Sequence, residues 1–142
     1  MISQTAQYAL RAVVCLAMKG GAPMTTEAIA EMTKVSSEYL SKVMQALVRG
    51  GLVGSKPGKA GGFALRVPPE RLTMQMVIDV IDVPPCGEEF SLDMQAYGNP
   101  LRPLYQKLQA INAQARKECS VVSIEELLPG GCRATAPPKK GF

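Results

Sequence analysis

Histidine is missing from the 142-residue sequence, and so are the motifs of the common enzyme classes. Histidine is the side chain that most often serves as a general acid or base near neutral pH. The chain also lacks a phosphate-binding glycine loop of the Walker type, and residues 58–62 are too few and wrongly placed for a dinucleotide-binding fingerprint. No nucleophilic side chain has an evident base. The sequence therefore predicts a protein that is not an enzyme.

Long apolar runs and a secretion signal are also absent. No run approaches the roughly 20 residues that a membrane-spanning helix needs, and residues 1–5 lack the charged region and cleavage site of a signal peptide. The length suits one domain with an appended element and a tail. We therefore expect a cytoplasmic protein that does not associate with membranes.

Positive charge is concentrated in the first half of the chain. Residues 1–66 carry eight Lys or Arg against three Glu, whereas residues 67–142 carry eight against nine Asp or Glu. A basic surface favours a polyanionic partner, because phosphates supply most of the sequence-independent affinity for nucleic acids. From charge alone, a basic surface that is merely solvated is equally compatible.

Residues 36–51 have the pattern of a helix that reads DNA. Ser36 can cap its start, because a serine oxygen accepts a backbone N–H that has no partner in the first turn. Apolar residues then recur at spacings of three and four, as on a buried helix face: Tyr39, Leu40, Val43, Met44, Leu47 and Val48. The remaining face carries polar or charged residues: Ser37, Glu38, Ser41, Lys42, Gln45 and Arg49. Gly50 and Gly51 end the helix, since glycine accepts the left-handed conformation.

The flanking segments predict a winged helix-turn-helix. Residues 4–19 and 26–34 predict two helices, the second with Ala28, Ile29 and Met32 turned inward and joined to the Ser36 helix by a tight turn. Residues 52–55 and 63–66 predict two short strands. The turn between them, residues 56–62, contains two lysines and no acid. The order of helix, glycine, strand, basic turn and strand is that of a winged helix.

The second half predicts a dimerisation element. Thr73 can cap a helix of residues 74–82, and residues 84–99 predict a connecting loop. Pro100 suits the first turn of a further helix, whose apolar residues form a heptad-like seam: Leu101, Leu104, Leu108, Ile111 and Ala115. The seam predicts a homodimer, although packing on its own domain remains an alternative. A short helix at 124–128 and a flexible tail at 129–142 follow.

The expected fold class is mainly α. Its parts are a winged helix-turn-helix DNA-binding domain at 1–83, a connecting loop at 84–99, a unit at 100–128 with a long dimerisation helix, and a tail. The side chains predicted to read the major groove are Ser36, Ser37, Tyr39, Ser41, Lys42 and Gln45. Those predicted to contact phosphates are Arg49, Lys56, Lys59 and Arg11. For Arg11 alone, a salt bridge is the alternative. A winged-helix module that binds protein and never DNA is a second hypothesis.

Five short segments, in this order along the chain, match the pattern of one known family. They are residues 7–12 (Gln-Tyr-Ala-Leu-Arg-Ala), the helix-turn-helix at 27–30 and 36–40, the wing at 51–53, 61–63 and 65, and residues 68–70 (Pro-Pro-Glu). On these segments the chain resembles the Rrf2 family of bacterial transcription regulators. The resemblance implies a homodimer, by family habit a repressor, that binds a partly palindromic operator. The Ser36 helix would lie in the major groove and the wing at the minor groove.

The wing departs from the family pattern at one point. The family commonly has Arg-Gly ahead of the paired glycines, and here Pro57 and Gly58 occupy those positions. An arginine suits a narrow, electronegative minor groove, and proline cannot replace it. Lys56 or Lys59 can supply charge but not the same readout of groove shape. The operator preference of the family is therefore not carried over.

The four cysteines do not have the family's cluster spacing. Members that bind an iron–sulfur cluster use three closely spaced cysteines with a histidine or carboxylate, whereas this chain has only Cys86 in that region and then Cys119 and Cys132. We therefore expect no cofactor and no metal, with an iron–sulfur or thiol-based redox sensor as the alternative. Cys15 is most simply a core residue, while Cys86 and Cys119 are either sensor thiols or incidental ones. The sequence names no effector.

Overall fold

Five α-helices and one two-stranded sheet form the part of the chain that the computed structural model describes, residues 2–82 and 99–129. The helices are α1 Gln4–Met18, α2 Thr26–Thr33, α3 Ser37–Arg49, α4 Met74–Ile81 and α5 Arg102–Val121. Strands β1 Val53–Lys56 and β2 Gly62–Leu65 pair antiparallel, with Val53 opposite Leu65. Short 3₁₀ turns lie at Asn99–Leu101 and Glu125–Leu127. This is the predicted mainly helical, winged helix-turn-helix fold.

Hydroxyl side chains start the first four helices. Ser3, Thr25, Ser36 and Thr73 each accept the backbone N–H three residues ahead, at 3.0–3.3 Å. Such a cap satisfies a first-turn donor and contributes about 1 kcal/mol. The predicted starts at Ser36 and Thr73 are therefore confirmed. None of the described helices is long and apolar enough to cross a bilayer.

A single main core joins α1, α2, α3, the hairpin and α4. Its large, fully buried side chains come from every one of these elements and include Leu16, Ile29, Leu40, Leu47 and Val77. Burying a side chain of this size stabilises the fold by about 1.5–3 kcal/mol. The inward position predicted for Met32 is wrong, because this side chain is 44% exposed. In the short helix α2 the buried positions are occupied by Ile29 and Thr33.

The hairpin is attached to the domain through backbone contacts on its second strand. Phe63 and Met24 exchange two backbone hydrogen bonds of 2.7 and 2.9 Å, so the α1–α2 connection adds one bridge to the sheet. Gly62 has a φ of +138°, and a Cβ at this position would lie 2.4 Å from the Met24 carbonyl oxygen. Only glycine permits so close an approach of two backbones. The contact with Met24 thus explains why the second of the paired glycines in the wing, Gly62, is a glycine.

After α5 the chain returns to the N-terminal domain. The Met74 N–H donates to the Val122 carbonyl at 3.0 Å, and the Ile124 N–H donates to the Leu72 carbonyl at 2.7 Å. The Ile124 side chain is fully buried in the main core. The short helix predicted at 124–128 is present only as a 3₁₀ turn at Glu125–Leu127, because residues 122–125 pair through their backbone with the Pro69–Met74 segment. A residue beyond the long helix therefore completes the core of the first domain.

Candidate DNA-binding surface

Helix α3 presents a polar face to solvent because its opposite face is buried. Leu40, Val43, Met44 and Leu47 pack into the core. Lys42, Gln45 and Arg49, all predicted to contact DNA, are exposed on the far side, with Ser37 and Ser41 on the flank nearer the core. Ser36 is exposed and its Oγ accepts the Tyr39 N–H, so this hydroxyl caps the helix. The helix thus has the form of a recognition helix, with an apolar anchor and a polar outer face.

Tyr39 is directed toward α1. Its hydroxyl shares a hydrogen bond with that of Thr5, and its ring meets the Tyr8 ring edge-on, with centroids 5.4 Å apart and planes at 89°. Edge-to-face pairs of this kind contribute about 0.5–1.5 kcal/mol beyond their buried area. Tyr39 therefore positions the start of α3 on α1. The sequence predicted a contact with DNA for this side chain and did not predict this contact with α1.

Arg11 extends this aromatic contact. Its guanidinium carbon lies 5.4 Å from the Tyr8 ring centroid, which is a cation–π distance. The alternative of a salt bridge for Arg11 is not found within residues 2–82 and 99–129, where the ion pair present joins Arg116 to Asp79. Sequence reasoning missed Thr5 and Tyr8, since nothing in their spacing indicates a partner 31–34 residues away. Arg11 remains exposed, and the Tyr8 ring that it contacts packs in turn on Tyr39 in the first turn of α3.

Two lysines stand at the tip of the wing. Lys56 ends β1 opposite Gly62, Lys59 lies in the turn, and both are exposed. Arg66, which was not predicted as a contact, follows β2, and its side chain passes over Gly54, 3.3 Å from where a Cβ would stand. No carboxylate lies between Val53 and Arg66 in the sequence. The wing therefore carries only positive charge, next to the basic end of α3.

The apolar seam of α5 is uncovered within the described residues. Leu104 is 53% and Ile111 49% exposed, Leu101 and Leu108 are also exposed, and Ala115 is half-buried. The C-terminal end of α5 is instead held to the domain, because Arg116 pairs with Asp79 at 3.2 Å and Cys119 is buried against Ala6 and Ile78. Contiguous exposed apolar side chains of this kind mark an interaction surface.

Cys15 and Cys119 are both buried, free thiols. Burial raises the pKa of the Cys15 thiol, which disfavours the reactive thiolate and suits a core residue. The burial of Cys119 counts against its predicted alternative role as an accessible sensor thiol. Among the described residues, no three His, Cys, Asp or Glu side chains lie close enough to hold a metal ion. Cys86 and Cys132, like the predicted connecting loop and tail, lie outside the described residues, except for residues 99 and 129 at their edges.

Comparisons with known proteins agree with this architecture. The HTH-type transcriptional regulator CymR of Bacillus subtilis is 33% identical over 84 residues, which are 58% of this chain and 61% of that protein. The solved structure of B. subtilis CymR, the global cysteine regulator, is 27% identical with a TM-score of 0.69, covering 89% of this chain and 95% of that one. The T. potens IscR structure shares the fold, at 20% identity and a TM-score of 0.70, over 96% and 92% of the two chains.

The family assignment rests on nearly the whole chain. In three other curated relatives, the matched stretch spans 62%, 39% and 55% of their length, so this chain matches only part of each. The Rrf2 family model, described as an iron-dependent transcriptional regulator, matches residues 2–130. The resemblance seen in the sequence is thereby confirmed, and the chain belongs to the Rrf2 family of transcriptional regulators.

Proposed function

We propose that this protein is a homodimeric, sequence-specific DNA-binding repressor. The observation that carries the proposal is the pairing of an exposed polar face on α3 with a wing that bears Lys56 and Lys59 and no acid. The major groove of DNA admits an α-helix, and cations that flank the helix neutralise phosphates on either side. Base readout then falls to α3 and backbone attachment to Arg49, Arg11 and the wing.

The dimer in this proposal forms through α5. Its seam of Leu101, Leu104, Leu108 and Ile111 is exposed in the single chain, and a second copy of the same surface would cover it. Two-fold symmetry gives two α3 helices, which suits an operator with two half-sites about one helical turn apart. The anchoring of α5 through Arg116 and Cys119 would set the separation of the two recognition helices.

A winged-helix module that binds only protein would not need a wing with two lysines and no acid.

The charge of the wing can be tested through the salt dependence of DNA binding. Removing one phosphate contact should reduce the slope of log affinity against log salt concentration by about one per protomer. We expect Lys59→Ala to do so on a mixed-sequence 30-base-pair duplex, with affinity measured by fluorescence anisotropy at four salt concentrations. No operator sequence is needed, because the sequence-independent term is the quantity that changes.

Lys117→Ala is the matched control. It removes one positive charge from the exposed surface of α5, away from the wing, so it lowers net charge equally without removing a predicted contact. Equal slopes for Lys59→Ala and the wild type would remove the wing from the DNA interface. Equal losses in both variants would show that net charge alone governs binding.

We also propose that the regulator works without an iron–sulfur cluster. Cluster iron needs thiolates that converge, whereas Cys15 and Cys119 each lie among apolar side chains. Anaerobically purified protein should be colourless, with iron and sulfide well below one equivalent per protomer. Visible absorption bands with stoichiometric iron would contradict this and make the protein a cluster-based sensor. The colourless outcome directs the search for a signal to thiol oxidation or a small ligand.

A further inference from the structure

The outermost residue in the first turn of α3 is a carboxylate. Successive residues of a helix are turned by about 100°, and the buried side of α3 is defined by Leu40, Val43, Met44 and Leu47. The line opposite that side runs through Glu38, Lys42, Gln45 and Arg49, which follow at intervals of four, three and four and are all exposed. Ser37, Tyr39 and Ser41 lie to the sides of this line. Glu38 therefore stands at the leading end of the outermost stripe.

Glu38 makes no ion pair or hydrogen bond within the described residues. Lys42 lies one turn further on, at the spacing of helical ion pairs, yet the ion pair found in residues 2–82 and 99–129 is that of Arg116 with Asp79. A carboxylate in the first turn does stabilise the helix by about 0.3–1 kcal/mol, through its interaction with the helix dipole. Ser37 and Tyr39 are also exposed in the first turn, and a carboxylate at either position would serve that purpose, whereas Glu38 occupies the position that points away from the core.

A carboxylate on a DNA-facing surface repels phosphates unless it meets a base. The N-terminal residues of a recognition helix are those that approach base edges in the major groove. There the amino donors are cytosine N4 and adenine N6, and the usual partner of Glu or Asp is cytosine N4, because adenine N6 lies between two acceptors, its own N7 and thymine O4. Glu38 has the position for this contact, and its neighbours Lys42 and Arg49 have the charge that holds the backbone around it.

We propose that Glu38 determines sequence specificity by selecting a cytosine at one position of each half-site. This inference rests on the proposed DNA-binding function. A glutamate at this point also rejects guanine and thymine, because an acceptor-only group facing guanine N7 and O6 or thymine O4 is left unpaired and repelled. It disfavours adenine because the N7 acceptor lies beside the N6 donor. Glu38 thus adds to the predicted contacts a residue whose role is to discriminate between bases and not to add affinity.

The test is selection of binding sites from a randomised duplex pool by the full-length protein and its Glu38→Gln variant. The wild type should enrich a two-fold symmetric motif with a conserved cytosine in each half. Glu38→Gln should lose that cytosine, with adenine favoured instead, since a glutamine amide pairs with adenine N6 and N7. The affinity ratio between duplexes with and without the cytosine should fall about tenfold.

Glu31→Gln is the matched control, because Glu31 is an exposed carboxylate on α2, the other helix of the pair. It should leave the motif unchanged. A Glu38→Gln variant that binds all duplexes more tightly with the same motif would overturn the inference and leave only repulsion by Glu38. Lower thermal stability with an unchanged motif would reduce its role to the helix dipole. A wild-type protein that enriches no motif would overturn the proposed function, and the inference with it.

Discussion

Replacing Ile124 by alanine is expected to lower the free energy of unfolding by about 2–5 kcal/mol. Ile124 lies beyond α5, yet its side chain is fully buried in the core of the DNA-binding domain. Its backbone N–H also bonds the Leu72 carbonyl at 2.7 Å, so the surrounding structure has little freedom to collapse into the space left. Urea unfolding at a fixed protein concentration measures the change, because the proposed dimerisation would make apparent stability depend on concentration.

Leu127→Ala provides the control in the same segment. Leu127 is 40% exposed, so its truncation should cost less than about 1 kcal/mol. Equal effects of the two substitutions would mean that the C-terminal segment does not complete the core. A large loss for Ile124→Ala alone would show that the first domain depends on the chain that follows the long helix. Truncation before residue 122 should then give an unstable domain.

Aspartate at both Leu104 and Ile111 is expected to convert the protein to a monomer. The two side chains are 53% and 49% exposed and lie on the same line of α5, so two copies meeting there would bury four carboxylates without partners. Burying an unpaired charge is far costlier than the apolar contact it replaces. Light scattering at micromolar concentration should give the mass of one chain, about 15.2 kDa.

The same change should weaken binding to an operator. A monomer engages each half-site separately and loses the effective concentration that links them, which is worth on the order of 10²–10⁴ in affinity. Gln106→Asp is the control, because Gln106 is exposed on the side of α5 that faces away from the seam. It should remain dimeric. A double variant that stays dimeric would place the interface elsewhere, and a monomeric wild type would remove α5 from any dimer.

Some features of the candidate site could be predicted because they depend on residues close together in the chain. The start of α3 at Ser36 follows from a cap that spans three residues, and its buried face follows from apolar residues three and four apart. Gly51, with a φ of +79°, ends the helix for the same local reason. The apolar seam of α5 could likewise be predicted, because its apolar residues are three and four positions apart. The pattern also placed Glu38 on the outer face, but only the buried side of α3 in the structure shows that Glu38 is the outermost residue of the first turn.

Other features required the tertiary structure. Local pattern gave no indication that Tyr39 would meet Thr5 and Tyr8, that Met24 would pair with Phe63, or that Ile124 would enter the core. These contacts join segments separated by tens of residues, and their free energy is gained only after the chain has closed the intervening loops. The short 124–128 segment illustrates the difference, because the Ile124 and Glu125 N–H groups donate to the Leu72 and Pro69 carbonyls and the predicted helix is reduced to a 3₁₀ turn. The sequence by itself thus determined the elements and the polar face of α3, because caps and spacing act locally. Only the tertiary structure decided how α1 holds α3 and how the end of the chain completes the core.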